Sequence, residues 1–359
     1  MGLFTGAIAV GNLAGAFPAG RLVQLVGLKR SLMTCILLTL AVLGAKSLFL
    51  AFQLQLLFAF ATGVGLSLWA VCISPAVAGT TSERERPFAF SLFFSVGIGV
   101  GALGAFAASR MPGWLANHSP RFHSPGPDQL TLIASCCFAA LGILPLAALT
   151  FSRIVIPLAP RPLLSPSLMR FLPAVALWGL VTGSFSPFAN VYLSVHMRLP
   201  LQKIGTVFSI SQLVQVGAVL CAPLVFRRLG VIGGIISAQF ATSLCFVLLA
   251  LSNRPLIASS VYVALMAFQY MNEPGLYSLL MRMAPEEQRS GASASMSFVL
   301  SSMQLVAAAS AGWAFKNFGY PVVLGTIAIL PLIAAGMFRK LPSERMMDAQ
   351  QQVAEGQPG

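Results

Sequence analysis

The chain has 359 residues, of which 57% are apolar and 9% are charged. Soluble domains usually carry about 25% charged residues, so this composition excludes a soluble globular enzyme. There are 22 Lys and Arg against 9 Asp and Glu, but the cations lie in short clusters between apolar runs and form no continuous stripe. The pattern argues against nucleic-acid binding and favours a membrane protein, whose cytoplasmic loops are rich in Lys and Arg.

Apolar runs long enough to cross a bilayer follow one another along the chain. A transmembrane helix needs about 20 apolar residues, and the runs lack the period-2 alternation of barrel strands. Eleven runs are predicted, at approximately 2–22, 31–50, 54–79, 88–109, 130–151, 171–195, 204–226, 231–251, 256–280, 291–314 and 320–338. The sequence therefore predicts an all-α polytopic membrane protein, with a disordered polar tail over 342–359.

The loops differ in positive charge, which predicts the orientation in the membrane. When every second loop is assigned to one side, that side holds 15 Lys and Arg, and the other side holds 7. The richer side is predicted to be cytoplasmic. The C-terminus and its tail are then cytoplasmic, and we expect a multi-pass protein of the plasma membrane, in a bacterium the inner membrane.

Similar segments recur at one offset, which indicates two parallel halves. Glu83-x-x-Arg86 and Glu286-x-x-Arg289 are 203 positions apart, and the same shift places Gly27 on Gly230. The predicted halves are 1–151 with five helices and 171–341 with six, joined by a cytoplasmic linker over 152–170. The offset places the partner of the helix at 171–195 before Met1, so the first half is expected to lack its first helix.

The segment from Gly20 to Arg30, GRLVQLVGLKR, carries a recognisable loop signature. It resembles that of the major facilitator superfamily, in which a Gly is followed after three residues by an Asp, then after two by a Gly, and then by basic residues. Gln24 stands at the acidic position, which weakens any transfer of the charge-relay gate of that family. The resemblance implies a two-half helical bundle that works by alternating access.

The resemblance and the internal repeat together assign a cytoplasmic gating-loop motif. Its glycines let helix ends approach closely, and its cations stay at the headgroups. The motif comprises Gly20, Arg21, Gln24, Gly27, Lys29, Arg30, Glu83, Arg86, Arg227, Arg228, Gly230, Glu286 and Arg289.

Glu273 is the one acidic residue that falls inside an apolar run. An ionised carboxylate there costs several kcal/mol unless it is paired or faces water. Two interpretations stand side by side. Glu273 either exchanges a proton during transport or stabilises a helix break at Pro274-Gly275 through hydrogen bonds.

Amide side chains lie at helical spacing on several runs, including the run that contains Glu273. Each of them could equally serve to hold neighbouring helices together. Together they predict a cavity for a small neutral or amphipathic solute, to which Trp69 adds a stacking surface. No Lys or Arg lies centrally in a run, so anionic cargo is disfavoured. The amide candidates are Gln269, Asn272, Asn190, Gln212, Gln215 and Asn12.

The remaining residues predict neither a metal site nor an enzyme. The six cysteines lie in apolar runs without ligand spacing, and no nucleophile and base are in reach of each other. We expect no cofactor, a small-molecule substrate, the lipid bilayer and protons as partners, and a monomer. A non-transporting receptor or scaffold, or a decayed transporter paralogue, is the alternative function.

Overall fold

The computed structural model describes residues 2–49, 51–118, 126–148, 166–284 and 288–341. All regular elements of these residues are helical, so the all-α polytopic prediction is confirmed. The first helices are α1 (Gly2–Val26), α2 (Leu28–Leu48), α3 (Phe52–Thr80), α4 (Arg86–His118), α5 (Pro127–Ala140) and α6 (Ile143–Ala148). The later ones are α7 (Pro166–Phe185), α8 (Ala189–Val191), α9 (Leu201–Leu251), α10 (Pro255–Met283), α11 (Arg289–Ile327) and α12 (Ile329–Arg339).

Within the described residues, seven helical stretches are long and apolar enough to cross a membrane. Two of them, Lys203–Leu251 and Arg289–Arg339, have 49 and 51 residues. At 1.5 Å per residue each is about 75 Å long, more than twice the roughly 30 Å hydrocarbon core. Each therefore contains two of the predicted runs, and the kinks lie at Gly230 and Gly319, where φ is 74° and 75°.

Several boundaries differ from the predicted runs. The run 130–151 is divided between α5 and α6, and α7 gives way after Phe185 to a 3-10 turn, the short α8 and a π turn that ends at His196. The helix α7 is described from Pro166 onward, so it includes part of the predicted linker. The rest of the linker, 152–165, and the predicted tail 342–359 lie outside the described residues.

Two compact units divide the described residues. Unit 1 comprises Met1–Thr80, Val100–Pro160 and Ser293–Phe298, and unit 2 comprises Thr81–Gly99, Arg161–Ala292 and Val299–Gly359. In unit 1, α3 packs on α1 and α2; in unit 2, α9 packs on α10 and α12. The predicted halves 1–151 and 171–341 stay a prediction.

Glycines allow α1 and α3 of unit 1 to cross closely. A Cβ atom on Gly63 would overlap the carbonyl oxygen of Ile8, and one on Gly11 would overlap that of Phe60. The hydrophobic effect does not drive helix association in lipid, so close backbone contact of this kind supplies the attraction. The crossing fixes the position of α3, which carries Trp69.

Candidate functional site

Glu273 lies well inside α10, about 27 Å from its first residue and about 15 Å before Met283. Its Oε1 accepts a hydrogen bond of 3.3 Å from Nε1 of Trp178, a fully buried side chain on α7. The carboxylate is thus held by a neighbouring helix. The indole N–H is a donor, and it can bond to the carboxyl group whether that group is ionised or protonated.

The helix break expected at Pro274-Gly275 is absent, because α10 is continuous from Pro255 to Met283. An internal proline is tolerated in membrane helices, and this helix is packed on a neighbour at the same point. Gly275 lies against Phe226 and Ile235 of α9. A Cβ atom added to Gly275 would lie 3.0 Å from Cγ1 of Ile235. Pro274 still removes one backbone donor, so the carbonyl of Tyr270, four residues earlier, lacks its usual helical partner.

Aromatic side chains surround the helix face that carries Glu273. Tyr270 and Tyr277 precede and follow it by three and four residues, which places all three on one face. The ring of Tyr277 lies 5.9 Å from that of Phe90 and 5.3 Å from that of Phe94, both on α4. This face therefore presents one carboxylate among rings.

Two buried amides of unit 2 have no hydrogen-bond partner among the described residues. They are Asn272 on α10 and Gln239 on α9, both fully buried, with the oxygen and the nitrogen of each side chain unpaired. The part of α9 after Gly230 runs antiparallel to α10, and Ile235 on α9 packs on Gly275 of α10. Gln239 lies one helical turn after Ile235, and Asn272 lies about one turn before Gly275, so the two amides are at the same level of the two helices. Gln239 was not among the residues predicted from the sequence, although Ser243 follows it by one helical turn.

The other predicted amides differ in their surroundings. Gln269 is buried on α10, one turn before Glu273, and Gln215 is buried and donates from Nε2 to the Ser211 hydroxyl at 2.9 Å. Gln212 and Asn190 are exposed. The structure therefore groups Glu273, Gln269 and Asn272 on α10, with Trp178 on α7.

Asn12 and Trp69 belong to unit 1. Asn12 is half-buried on α1, and Trp69 is 42% exposed. The indole of Trp69 contributes to the wall of a cavity of about 300 Å³ between α2 and α3. The walls of this cavity are almost entirely apolar, so its chemistry differs from that around Glu273.

Most of the predicted gating-loop motif lies at helix junctions. Gly27 separates α1 from α2 with φ 86° and ψ 162°, and Gly230 kinks α9 with φ 74° and ψ 166°. The two glycines lie 203 positions apart and have similar conformations, which Gly319 also adopts with φ 75° and ψ 167°. Gly20 is buried and Gln24 is half-buried. The Nζ of Lys29 donates a hydrogen bond of 2.8 Å to the carbonyl of Ala147. The arginines of the motif outside the Glu83 loop are exposed, namely Arg21, Arg30, Arg227 and Arg228.

An ion pair joins Glu83 to Arg86 at 3.0 Å in unit 2. The Arg86 side chain is 6% exposed, and the positive charges of Arg289 and Arg282 act on it. Glu286, which belongs with Arg289 to the predicted motif, lies outside the described residues. In the same loop the Ser82 hydroxyl donates to Glu85 at 2.7 Å and lowers the pKa of that exposed carboxyl.

A polytopic bundle of apolar helices with a carboxylate and amides inside it has the architecture of a membrane transporter. The sequence matches the family model of the Major Facilitator Superfamily over residues 1–308. The chain belongs to this superfamily and is a multi-pass membrane transporter.

Solved structures share the fold at low sequence identity. The Escherichia coli fucose:proton symporter FucP is 14% identical with a TM-score of 0.74, over 95% of this chain and 90% of that chain. The human organic anion transporter MFSD10 is 14% identical with a TM-score of 0.76, over 94% and 83%. A bacterial homologue of the iron transporter ferroportin is 15% identical with a TM-score of 0.66, over 94% and 89%. No curated protein matches the sequence.

Proposed function

We propose that the protein moves a small neutral or amphipathic solute by alternating access and that Glu273 couples this movement to protons. The observation that carries the proposal is the carboxylate of Glu273, placed deep in α10 and held by Trp178 of α7. Among the described membrane-spanning helices, no other carboxylate lies so far from a helix end. A carboxylate in hydrocarbon is costly and is retained where it acts on a proton or an ion.

The described cations support an uncharged cargo. Most of them lie near helix ends or beside the kinks at Gly230 and Gly319, and the buried Arg86 is already paired with Glu83, so it is not free to bind an anion. The amides Gln269 and Asn272 near Glu273 can donate and accept hydrogen bonds, which suits a hydroxyl-bearing or amide-bearing solute. FucP, which has a similar fold, is named as a fucose:proton symporter, and this agrees with proton coupling here.

The proposed orientation follows from the charge of the loops. We place the loop around Arg84, the start of α11 at Arg289 and the C-terminus in the cytoplasm, with Arg198 outside. The side that holds Arg84 has the larger share of Lys and Arg, which is typical of cytoplasmic loops. The membrane is the plasma membrane.

The experiment uses the protein reconstituted in vesicles with an imposed proton gradient and a panel of labelled neutral metabolites. Glu273→Gln keeps the size of the side chain but cannot ionise, so we expect accumulation against a gradient to be lost and downhill exchange to persist. Trp178→Phe removes the N–H donor and should reduce accumulation by about tenfold, in line with about 1.5 kcal/mol for a hydrogen bond to a charged group. Trp313→Phe, at a 63% exposed position, is the matched control.

Full accumulation by Glu273→Gln would contradict the coupling role. If Glu273 instead supported the helix through hydrogen bonds, Gln would preserve both transport modes and Ala would lower the yield of folded protein. Absence of both modes for every metabolite in the wild type would favour the receptor or scaffold alternative.

A further inference from the structure

Unit 1 contains a cavity that the proposed transport site does not use. Its volume is about 300 Å³, and its walls come from Cys35, Thr39 and Leu43 of α2 and from Thr62, Gly65 and Trp69 of α3. Leu66 and Trp69, on its rim, are 49% and 42% exposed, so the cavity opens on the surface of the helices. An apolar surface of this kind is suited to contact with hydrocarbon.

A cation marks one end of this cavity. Lys46 Nζ donates to the Thr62 hydroxyl at 2.9 Å, and Thr62 in turn donates to the Phe58 carbonyl. Lys46 has no carboxylate partner among the described residues. Its backbone is fixed as well, because Gln55 Nε2 donates to the carbonyl oxygens of Lys46 and Phe49.

The cavity begins inward of the ends of α2 and α3. Lys46 lies two residues before the end of α2, and its side chain reaches inward to Thr62, ten residues or about 15 Å after the start of α3. From Thr62 to Trp69 the wall extends seven residues along α3, or about 10 Å. This length accommodates part of one acyl chain, and the flexible stem of Lys46 lets its ammonium group turn outward to a phosphate at the end of α2.

We propose that this cavity is a binding site for one phospholipid, whose acyl chain occupies the space between α2 and α3 and whose phosphate pairs with Lys46. The apolar walls exclude a polar solute, and the ammonium group selects a lipid with a negative headgroup over a neutral one. Trp69 lies at the inner end, against the acyl chain. The site is separate from Glu273 and stands independently of the proposed coupling.

The experiment is native mass spectrometry of the protein in mild detergent, titrated with phosphatidylglycerol or with diacylglycerol of the same acyl chains. The wild type should retain one phosphatidylglycerol and little diacylglycerol. Lys46→Gln keeps a hydrogen-bonding group near Thr62 but removes the charge, and binding should weaken about fivefold, which corresponds to about 1 kcal/mol for one basic residue. Lys316→Gln, at an exposed position in unit 2, should change nothing.

A second pair of variants tests the cavity itself. A Cβ on Gly65 meets Thr39 Oγ1 at 3.6 Å, an ordinary contact, so Gly65→Leu can fill the cavity without a backbone clash and should abolish retention. Ala61→Leu fills it from another point and replaces Gly65→Leu if that variant misfolds. Gly79→Leu on the same helix has open space around it and is the control.

Fluorescence supplies an independent measurement. With Trp114, Trp178 and Trp313 replaced by Phe, a phospholipid brominated on its acyl chain should quench Trp69, and Gly65→Leu should remove the quenching. Equal retention of the two lipids by the wild type, or unchanged retention by both cavity-filling variants, would overturn the proposal.

Discussion

The contact between α1 and α3 in unit 1 and the contact between α9 and α10 in unit 2 differ in chemistry. In unit 1, α1 and α3 meet through Gly11 and Gly63, where backbone touches backbone. In unit 2, α9 and α10 also pack through a glycine, Gly275, but one turn away they bury Gln239 and Asn272. Both arrangements hold helices together in lipid, where apolar side chains gain nothing by leaving the solvent.

The difference indicates where each unit is built for packing and where it is built for binding. The glycine crossing of unit 1 is held by van der Waals attraction between backbones, although it also buries the Ser67 hydroxyl without a partner among the described residues. The amides of unit 2 leave polar atoms unpaired, and each such atom costs free energy in an apolar surrounding. Unpaired buried amides are retained where another state of the protein, or a bound solute, supplies the missing hydrogen-bond partner.

The largest expected effect is at the glycine crossing. Gly63→Leu would drive a side chain into the backbone around Ile8, and no rotamer avoids a clash with a carbonyl group. We expect a loss of more than about 3 kcal/mol, the upper end of the usual cost of overpacking. The yield of monodisperse protein and the melting temperature at a fixed scan rate measure it.

Gly44→Leu is the control, since nothing lies within 4 Å of an added Cβ on this α2 residue. Its yield should match the wild type. Normal folding of Gly63→Leu would show that α1 and α3 can separate without loss, and the contrast between the units would fail.

A smaller effect is expected at the two junction glycines, one in each unit. Gly27 and Gly230 share a backbone conformation with positive φ and extended ψ, which is essentially restricted to glycine. Ala at either position should cost about 1–3 kcal/mol of strain. Because the conformations agree, the two losses should be similar, and melting curves of Gly27→Ala, Gly230→Ala and the control Gly217→Ala measure them. A loss at one junction alone would contradict the structural repeat.

The sequence predicted the helical architecture well because hydrocarbon imposes a strict rule of length and polarity on each helix. The shared offset of Gly27 and Gly230 also indicated equivalent junctions, and the structure gives both the same backbone conformation. Exact helix ends were less predictable. The predicted run 130–151 is divided between α5 and α6, whereas the predicted runs 204–226 and 231–251 do meet at a non-helical residue, Gly230.

The site was predictable only in part. Glu273 stood out as a charge in an apolar run, but its partner Trp178 lies 95 positions away, and no local spacing connects them. The break expected after Glu273 did not form, since helices in a membrane tolerate an internal proline, as α1 and α3 also do at Pro18 and Pro75. The cavity beside Lys46 was invisible in the sequence, since it depends on how α2 and α3 pack.

The smallest expected change in stability is at Asn272, and its sign tests the contrast between the units most directly. Asn272→Leu replaces an unpaired buried amide by an apolar side chain of similar size. We therefore expect a free energy of unfolding that is unchanged or raised by about 1 kcal/mol. Transport should nevertheless fall, because the amide is kept for a partner that arrives during the cycle.

Gln215→Leu is the matched control, because its amide is already paired. The substitution leaves the Ser211 hydroxyl without its partner, so it should lower the free energy of unfolding by about 1 kcal/mol. Equilibrium unfolding in detergent and uptake by vesicles, measured on the same preparations, separate the two variants. If Asn272→Leu were the more destabilising of the two, the amide would be structural, holding α10 to α9 through Gln239, and unit 2 would resemble unit 1 in using this contact for packing alone.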